Sequence, residues 1–333
     1  MNSPQELTPA VPAVEAAGGR FRLDRRGLFR AGSGVAAIGG MAWAGKVLEP
    51  TATAAGSAGD PDLFIGGTDG WISLPQTPAI PPFHPDPLAP DGLSTYIFGF
   101  RNLTGMSEAQ RLAQKNKAQH TAPLFWVPQY NDGGAGFFVK LTNLGLALRP
   151  DLFDAHTLHW HGFRNVIPFF DGEPSGSISV PSGRVFTYAY RPRDPGTYMY
   201  HCHVEDVEHV HMGMTGMVFV RPLQNETGAT GAPVARVAGN TAAGAPMGYI
   251  YNDGLPVSAE ASTAYDREFA MFISEVWAES HWADAHIQLP EWSDYRADFV
   301  LLNGRAYPDT LEPNGSDVNP FAPPASATTP TAT

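Results

Sequence analysis

Seven of the eleven histidines in this 333-residue chain fall between positions 156 and 211: His156, His159, His161, His201, His203, His209 and His211. The only cysteine, Cys202, lies among them. Imidazole and thiolate are the side chains that hold borderline and soft d-block metals, so a metal centre is the first chemistry to consider. The spacing sharpens this. His159 and His161 in HTLHWHG are two apart, as are His201 and His203 in HCH. On a strand, residues two apart share a face and lie about 6.6 Å apart along the chain. Each pair can therefore reach one metal or two adjacent metals. Cys202, between its two histidines, must face the other way. One strand then serves two sites, with a short covalent path for an electron from sulfur through backbone to either ring.

A thiolate, two imidazoles and a weak axial thioether make the trigonal blue-copper arrangement. His156, three residues before His159, is a candidate for one imidazole. His209 and Met214, five apart in VEDVEHVHMGMTGM, can supply the rest. His211 rivals His209, and Met212 or Met217 rivals Met214. The His209/Met214 pair is preferred because five residues after His211 stands Gly216.

HTLHWHG together with GTYMYHCHVEDVEHVHMGMTG resembles the copper-binding pattern of the multicopper oxidases, the laccase-like family of cupredoxin domains. The resemblance is strong over residues 95–222 and loose over 268–310. It implies copper as cofactor: a type 1 copper that takes electrons singly, and a cluster of one type 2 and two type 3 coppers that reduces dioxygen to water. Carried over by position, His156, Cys202, His209 and Met214 match type 1 ligands. His159 matches a type 2 ligand, and His161, His201 and His203 match type 3 ligands. Asp171 in FFDGEPSG matches an acidic residue that delivers protons to bound oxygen species, or else DGEP is only a turn. The chain departs from the family in two ways. Cys202 to His209 is two residues longer than usual, which keeps His211 in play. The family's cluster needs eight histidines, whereas four match here, and His84, His120, His281 and His286 form no His-x-His pair. The other half is expected from sequence beyond Thr333 or from another chain. A type 1 site in the first domain resembles two-domain laccases and copper nitrite reductases, which implies a homotrimer. His203 speaks against the nitrite reductase, where the residue after the cysteine is not histidine. A non-catalytic cupredoxin module for electron transfer or copper binding is the third reading. Dioxygen and a small-molecule or metal-ion electron donor are the implied partners.

The elements around these residues must be short. Gly 35 and Pro 31, with 11% aromatic and only 16% charged residues, describe many strands punctuated by turns. The expected fold class is all-β: a cupredoxin-like Greek-key β-sandwich at 55–224, a linker at 225–267, an incomplete second cupredoxin-like domain at 268–310 and a disordered tail at 311–333. Core strands are expected at Thr95–Phe100, Phe137–Leu141, RVFTYAYR (184–191), GTYMYHCHV (196–204) and GMVFVRP (216–222). EFAMFISEVW (268–277) and DFVLLNGRAYPDT (298–310) supply strands of the second unit. SEAQRLAQKNKAQH (107–120) reads as an exposed helix capped by Ser107. Pro-rich 61–92 reads as chain extended over the surface. Trp160 reads as packing, and His281 and His286 as surface histidines.

Lys+Arg of 21 against Asp+Glu of 33 gives a net charge of −12, which excludes the basic footprint of a nucleic-acid or anionic-membrane binder. One cysteine excludes an internal disulfide. Residues 1–54 carry the paired arginines of DRRGLFR, the weakly apolar AGSGVAAIGGMAWAG and a small-residue A-x-A site ending at Ala54. They resemble a twin-arginine export signal, implying an extracellular or cell-envelope protein. The apolar run is too short and Gly-rich to span a bilayer, so no integral membrane segment is expected after its removal.

Overall fold

The structure is a computed structural model that describes residues 61–132, 134–163, 167–227 and 248–311. The segment expected as export signal lies outside these residues, as do 312–333 of the expected tail and 228–247 of the expected linker. The described chain is mostly sheet with few, short helices, an all-β fold.

Two four-stranded sheets form a sandwich. One has the order β2 (Thr95–Asn102), β1 (Leu63–Ile72), β4 (Phe137–Asn143), β6 (Val185–Tyr190). The other runs β3 (Phe125–Pro128), β8 (Thr215–Arg221), β7 (Gly196–His201), β5 (His159–Trp160). The parallel pairings β1–β4 and β3–β8 are the crossovers of a Greek-key topology. Inward residues of both sheets, among them Ile65, Phe98, Val139, Tyr188, Phe125, Trp160, Tyr200 and Val218, make one buried apolar cluster that also contains Cys202, Met212 and Met214. Trp160 stacks on Tyr190 at 3.9 Å between ring centroids, so it packs as expected. Beyond the sandwich come β9 (Gly248–Tyr249) paired with β10 (Ala264–Tyr265), then a three-stranded sheet of β11 (Ile273–Val276), β12 (Phe299–Leu302) and β13 (Arg305–Ala306). Val276, Phe299, Leu301 and Ala306 form a second small core with Leu74.

The Pro-rich stretch departs from expectation. Leu63–Ile72 is not surface chain but an inner strand, paired with β2 on one side and β4 on the other. Gly66, Gly67 and Gly70 hide it from hydropathy, and the buried polar pair Thr68 and Asp69 does the same. The glycines answer close approach: a Cβ at Gly70 would stand 2.8 Å from the Ala118 backbone nitrogen. Asp69 is satisfied, its Oδ2 accepting from the Tyr96 hydroxyl at 2.8 Å and from the amides of Ala147 at 2.7 Å and Leu148 at 2.8 Å. Further along, His84 and Asp86 are buried too, with His84 against the Phe299 ring at 4.8 Å.

The expected helix at 107–120 shrinks to α1 (Glu108–Leu112), with Ser107 capping it in a full capping box. No residue of α1 is buried, so nothing extends it beyond the cap.

Candidate metal centre

Three local arrangements bring the histidine motifs together. His156 bridges Val180, its amide donating to the Val180 carbonyl at 3.0 Å and its carbonyl accepting in return at 2.9 Å. β5 pairs with β7 so that His159 stands opposite His201 and Trp160 opposite Tyr200. After Cys202 the chain turns into α2 (Asp206–His211), which starts from Glu205 at φ 46° and puts His209 on its buried side.

The alternation of β7 separates two groups. Cys202 and Tyr200 face the core and are fully buried. His201 faces the other way and joins His159, His161 and His203. Ring centroids are 5.2 Å apart for His159–His201, 5.5 Å for His159–His161, 5.0 Å for His159–His203 and 5.5 Å for His201–His203. Nitrogens of His159, His161 and His201 all lie within 4.8 Å of one another. His159 Nδ1 donates to the Asp171 carbonyl at 2.7 Å, and His201 Nδ1 donates to the Cys202 carbonyl at 2.7 Å. A carbonyl only accepts, so both rings carry hydrogen on Nδ1 and offer Nε2 as a lone pair. Burial holds the His201 pKa down. The Asp171 carboxylate stands 3.6 Å from His159 Nδ1. It is fixed there by the turn at Gly172 (φ +77°), where a Cβ would run into the Leu158 carbonyl.

On the core side, Cys202 Sγ is 3.4 Å from His209 Nδ1, and the His156 and His209 rings are 5.2 Å apart. Donor atoms of His156, Cys202 and His209 lie within 4.8 Å of one another, and all three residues have zero exposure. Both ring nitrogens of His156 lack a hydrogen-bond partner. A buried imidazole orphaned beside a thiol is costly unless a ligand engages it. Met214 is buried in the same cluster; its amide donates to the His209 carbonyl at 2.9 Å and its carbonyl accepts from the Cys202 amide at 3.0 Å. This donor set of two imidazoles and one thiol, with Met214 tied through its backbone to both Cys202 and His209, fits copper. Burial pulls the His209 pKa down, but hydrogen bonds to Asp154 and Cys202 outweigh it and hold the group at about 10. Burial, with the neighbouring His209 charge, keeps His156 well below its usual value.

His211 lies elsewhere. Its Nε2 accepts from the Trp277 amide at 3.2 Å, and its ring stands 5.0 Å from that of His281. Met217 pairs across the strands with Met199, while Met212 is buried in the main core. His281 is not a surface residue. It sits in α4 (Ala278–Ala285), 1% exposed, with Nδ1 donating to the Tyr96 carbonyl at 2.6 Å. Its helix reads as polar but packs on β2. His286 is half-buried and pairs with Asp86 at 2.9 Å.

The sequence reading missed the supporting contacts. Asp154 Oδ2 lies 3.4 Å from His209 Nε2. Thr157 donates its amide toward Cys202 Sγ at 3.5 Å, while its hydroxyl accepts from the His203 amide at 2.8 Å. Gly67 leaves room for the His156 ring. The only available signal was the proximity of Asp154 and Thr157 to His156.

The chain resembles known proteins over part of its length. Residues 142–225 match the family described as multicopper oxidase. Mouse ceruloplasmin is 36% identical over 74 residues, covering 22% of this chain and 7% of ceruloplasmin. Laccase-like multicopper oxidase 1 of Thermothelomyces thermophilus is 44% identical over 52 residues, covering 14% of this chain and 8% of that protein. The matches thus span under a tenth of either relative. Among solved structures, the blue copper oxidase from Nitrosomonas europaea aligns at 18% identity and TM-score 0.39, covering 74% of this chain and 54% of that one. A laccase from Pediococcus acidilactici aligns at 15% identity and TM-score 0.41, covering 73% and 37%. The part of this chain that is similar to the multicopper oxidases, residues 142–225, is the part that carries His156, His159, His161, His201, Cys202, His203, His209 and Met214.

Proposed function

We propose that the chain is the type 1 copper and half-cluster part of an exported multicopper oxidase. It oxidises phenolic, amine or metal-ion donors one electron at a time and couples this to reduction of dioxygen to water. The observation that carries this reading is the two-faced geometry of β7: Cys202 turned into a buried site with His156 and His209, His201 turned out to His159, His161 and His203.

Copper, when bound, supplies one-electron redox chemistry at the thiolate site and oxygen chemistry at the imidazole site. The chain's residues do the rest. His156, Cys202 and His209 would hold copper at the buried site, with Met214 as the candidate thioether donor. Asp154 orients His209 through Nε2, and the Thr157 amide places positive charge against the sulfur. The hydrogen bond from His201 Nδ1 to the Cys202 carbonyl adds a shortcut to the backbone path from sulfur to imidazole. His159 would serve as the type 2 ligand and His161, His201 and His203 as type 3 ligands. Asp171, beside His159, holds and delivers a proton, since dioxygen reduction consumes protons. The remaining cluster ligands come from another domain or chain, as in a trimer of two-domain enzymes. Residues 1–54 direct export by the twin-arginine route. Among the described residues, no helix is long and apolar enough to cross a membrane.

The gathering of only four imidazoles among the described residues favours, as a second reading, an electron-transfer module that holds the thiolate-bound copper alone. Copper titration separates them. Both readings require an intense visible thiolate-to-copper band that Cys202→Ser abolishes. Only the oxidase adds dioxygen uptake when the complementary half is supplied. A visible band that survives in Cys202→Ser contradicts both.

A further inference from the structure

Two strands of the second unit are apolar on both faces. In FAMFISEV (269–276) and FVLL (299–302), only Ser274 and Glu275 are polar. Such short unbroken apolar runs belong to strands covered on both sides, whereas a strand with one wet face alternates apolar and polar. Here only one side is covered. Val276, Phe299 and Leu301 turn in to a small core with Leu74 and Ala306. The register of β11 and β12 sets Ile273 opposite Leu302 and Glu275 opposite Val300, and all four turn out. The chain ahead of β11 stays in line, with the Asn303 amide donating to the Phe272 carbonyl at 2.8 Å. Exposure alternates along it from Phe269 to Glu275, so Phe269 and Met271 continue the outer row.

The outer row is large. Phe269 is 78% exposed, Met271 65%, Ile273 69%, Val300 58% and Leu302 39%. With about 150–200 Å² for a fully exposed side chain of this size, the five present on the order of 500 Å² of apolar surface. A standard two-chain interface takes about 800 Å² from each partner and is about 65% apolar in homodimers, so a stable dimer needs about that much from each copy. The only charged residue at the outward positions of β11 and β12 is Glu275, and its carboxylate already accepts from the Tyr295 hydroxyl at 2.5 Å. No candidate copper ligand lies on this face.

We infer that the outer face of β11 and β12 packs against the same face of a second copy of this chain across a two-fold axis. A two-fold brings identical patches together, so the patch must complement itself. An apolar sheet face whose one charge is already hydrogen-bonded meets that condition. Two such faces about 10 Å apart make the sheet-on-sheet layer that each copy lacks on this side. The dimer uses no copper ligand, so it does not rest on the oxidase reading. It also leaves the imidazole cluster free for whatever completes it.

The test is sedimentation velocity on the full chain, metal-free and copper-loaded, over a hundredfold range of concentration and at low and high salt. A two-chain particle is expected in both metal states, and salt should not weaken it, because the contact is apolar. The double variant Ile273→Lys/Val300→Lys should weaken association at least tenfold with an unchanged far-ultraviolet spectrum. Val185→Lys is the control: Val185 is 55% exposed on β6, and its replacement should leave the particle intact. Mixing Ile273→Lys/Val300→Lys with Ile273→Glu/Val300→Glu should restore a two-chain particle, which neither a misfolded variant nor a different occupant of the face would do. A single-chain particle at every concentration overturns the inference. So does a two-chain particle that survives both double variants or dissociates in high salt. Failure to restore association on mixing means that something other than a second copy covers the face, and overturns it too. A two-chain particle in a chain that takes up no copper supports the dimer and overturns the oxidase reading alone.

Discussion

Replacing Gly67 by alanine adds one methyl group to the wall of the thiolate site. An ideal Cβ there would lie 2.7 Å from His156 Cδ2 and 3.5 Å from Nε2. Ordinary carbon contacts are about 3.5–4.0 Å, so the two groups must part by about 1 Å. The His156 backbone is pinned by its paired bonds to Val180, and Gly67 sits mid-strand between β2 and β4, so the imidazole ring must give way. Overpacking of this kind costs about 1–3 kcal/mol. The functional loss is larger in proportion, because a metal site tolerates ligand distances only to about 0.2 Å. Gly67→Ala should lower the urea midpoint of the metal-free protein without changing the slope. It should also weaken or shift the visible copper band and reduce copper affinity at the thiolate site. Gly176→Ala is the control: its nearest neighbour would be Pro168 Cβ at 3.6 Å, an ordinary contact, and its effect should stay within about 0.5 kcal/mol. If Gly67→Ala has wild-type stability and an unchanged blue spectrum, the ring of His156 is not where the account requires it.

Three further outcomes follow from the same geometry. His159→Ala should keep the blue band and stop dioxygen turnover in the assembled oxidase, read by absorption and oxygen electrode; loss of the blue band would mean the two sites are interchanged. Asp154→Asn should leave the metal-free fold intact but cost about 10–100-fold in copper affinity by freeing His209 from its carboxylate; unchanged affinity would remove Asp154 from the site. Burial and the neighbouring Glu208 raise the Asp284 carboxyl to about 8 in the native protein. Its pKa is thus above the unfolded value, so its stabilisation is complete below about 4 and is lost as pH rises toward 8. Asp284→Asn should flatten that part of the stability profile of the metal-free chain in urea titrations at pH 5 and pH 8.5; an identical slope would contradict it.

The strands that position the site were legible where apolar residues alternate or run together, as in β6, β7 and β8. β1 was not, because three glycines and a buried Thr68–Asp69 pair replace the apolar signal with close backbone approach, which only the folded neighbours reveal. β5 is two residues long and carries no strand signature; the His-x-His spacing, not hydropathy, marked it. The choice between His209 and His211 rested on counting to the next methionine. In the structure His209, and not His211, stands beside Cys202. The extra residues after Cys202 are taken up in α2, where residues two apart lie about 200° around the axis, so one histidine meets Cys202 and the other faces Trp277. Asp154 and the buried His281 depended on long-range packing that no local pattern encodes.

In the proposed arrangement Cys202 and the two core-facing imidazoles would hold one copper while the histidines flanking Cys202 serve another group. Copper X-ray absorption on the singly loaded chain tests it most directly. The expected spectrum has one short sulfur scatterer with two nitrogen neighbours, the sulfur vanishing in Cys202→Ser and unaffected by His159→Ala. A copper environment of nitrogen and oxygen alone, with Cys202 still free to react with a thiol reagent after unfolding in the presence of the metal, would contradict it.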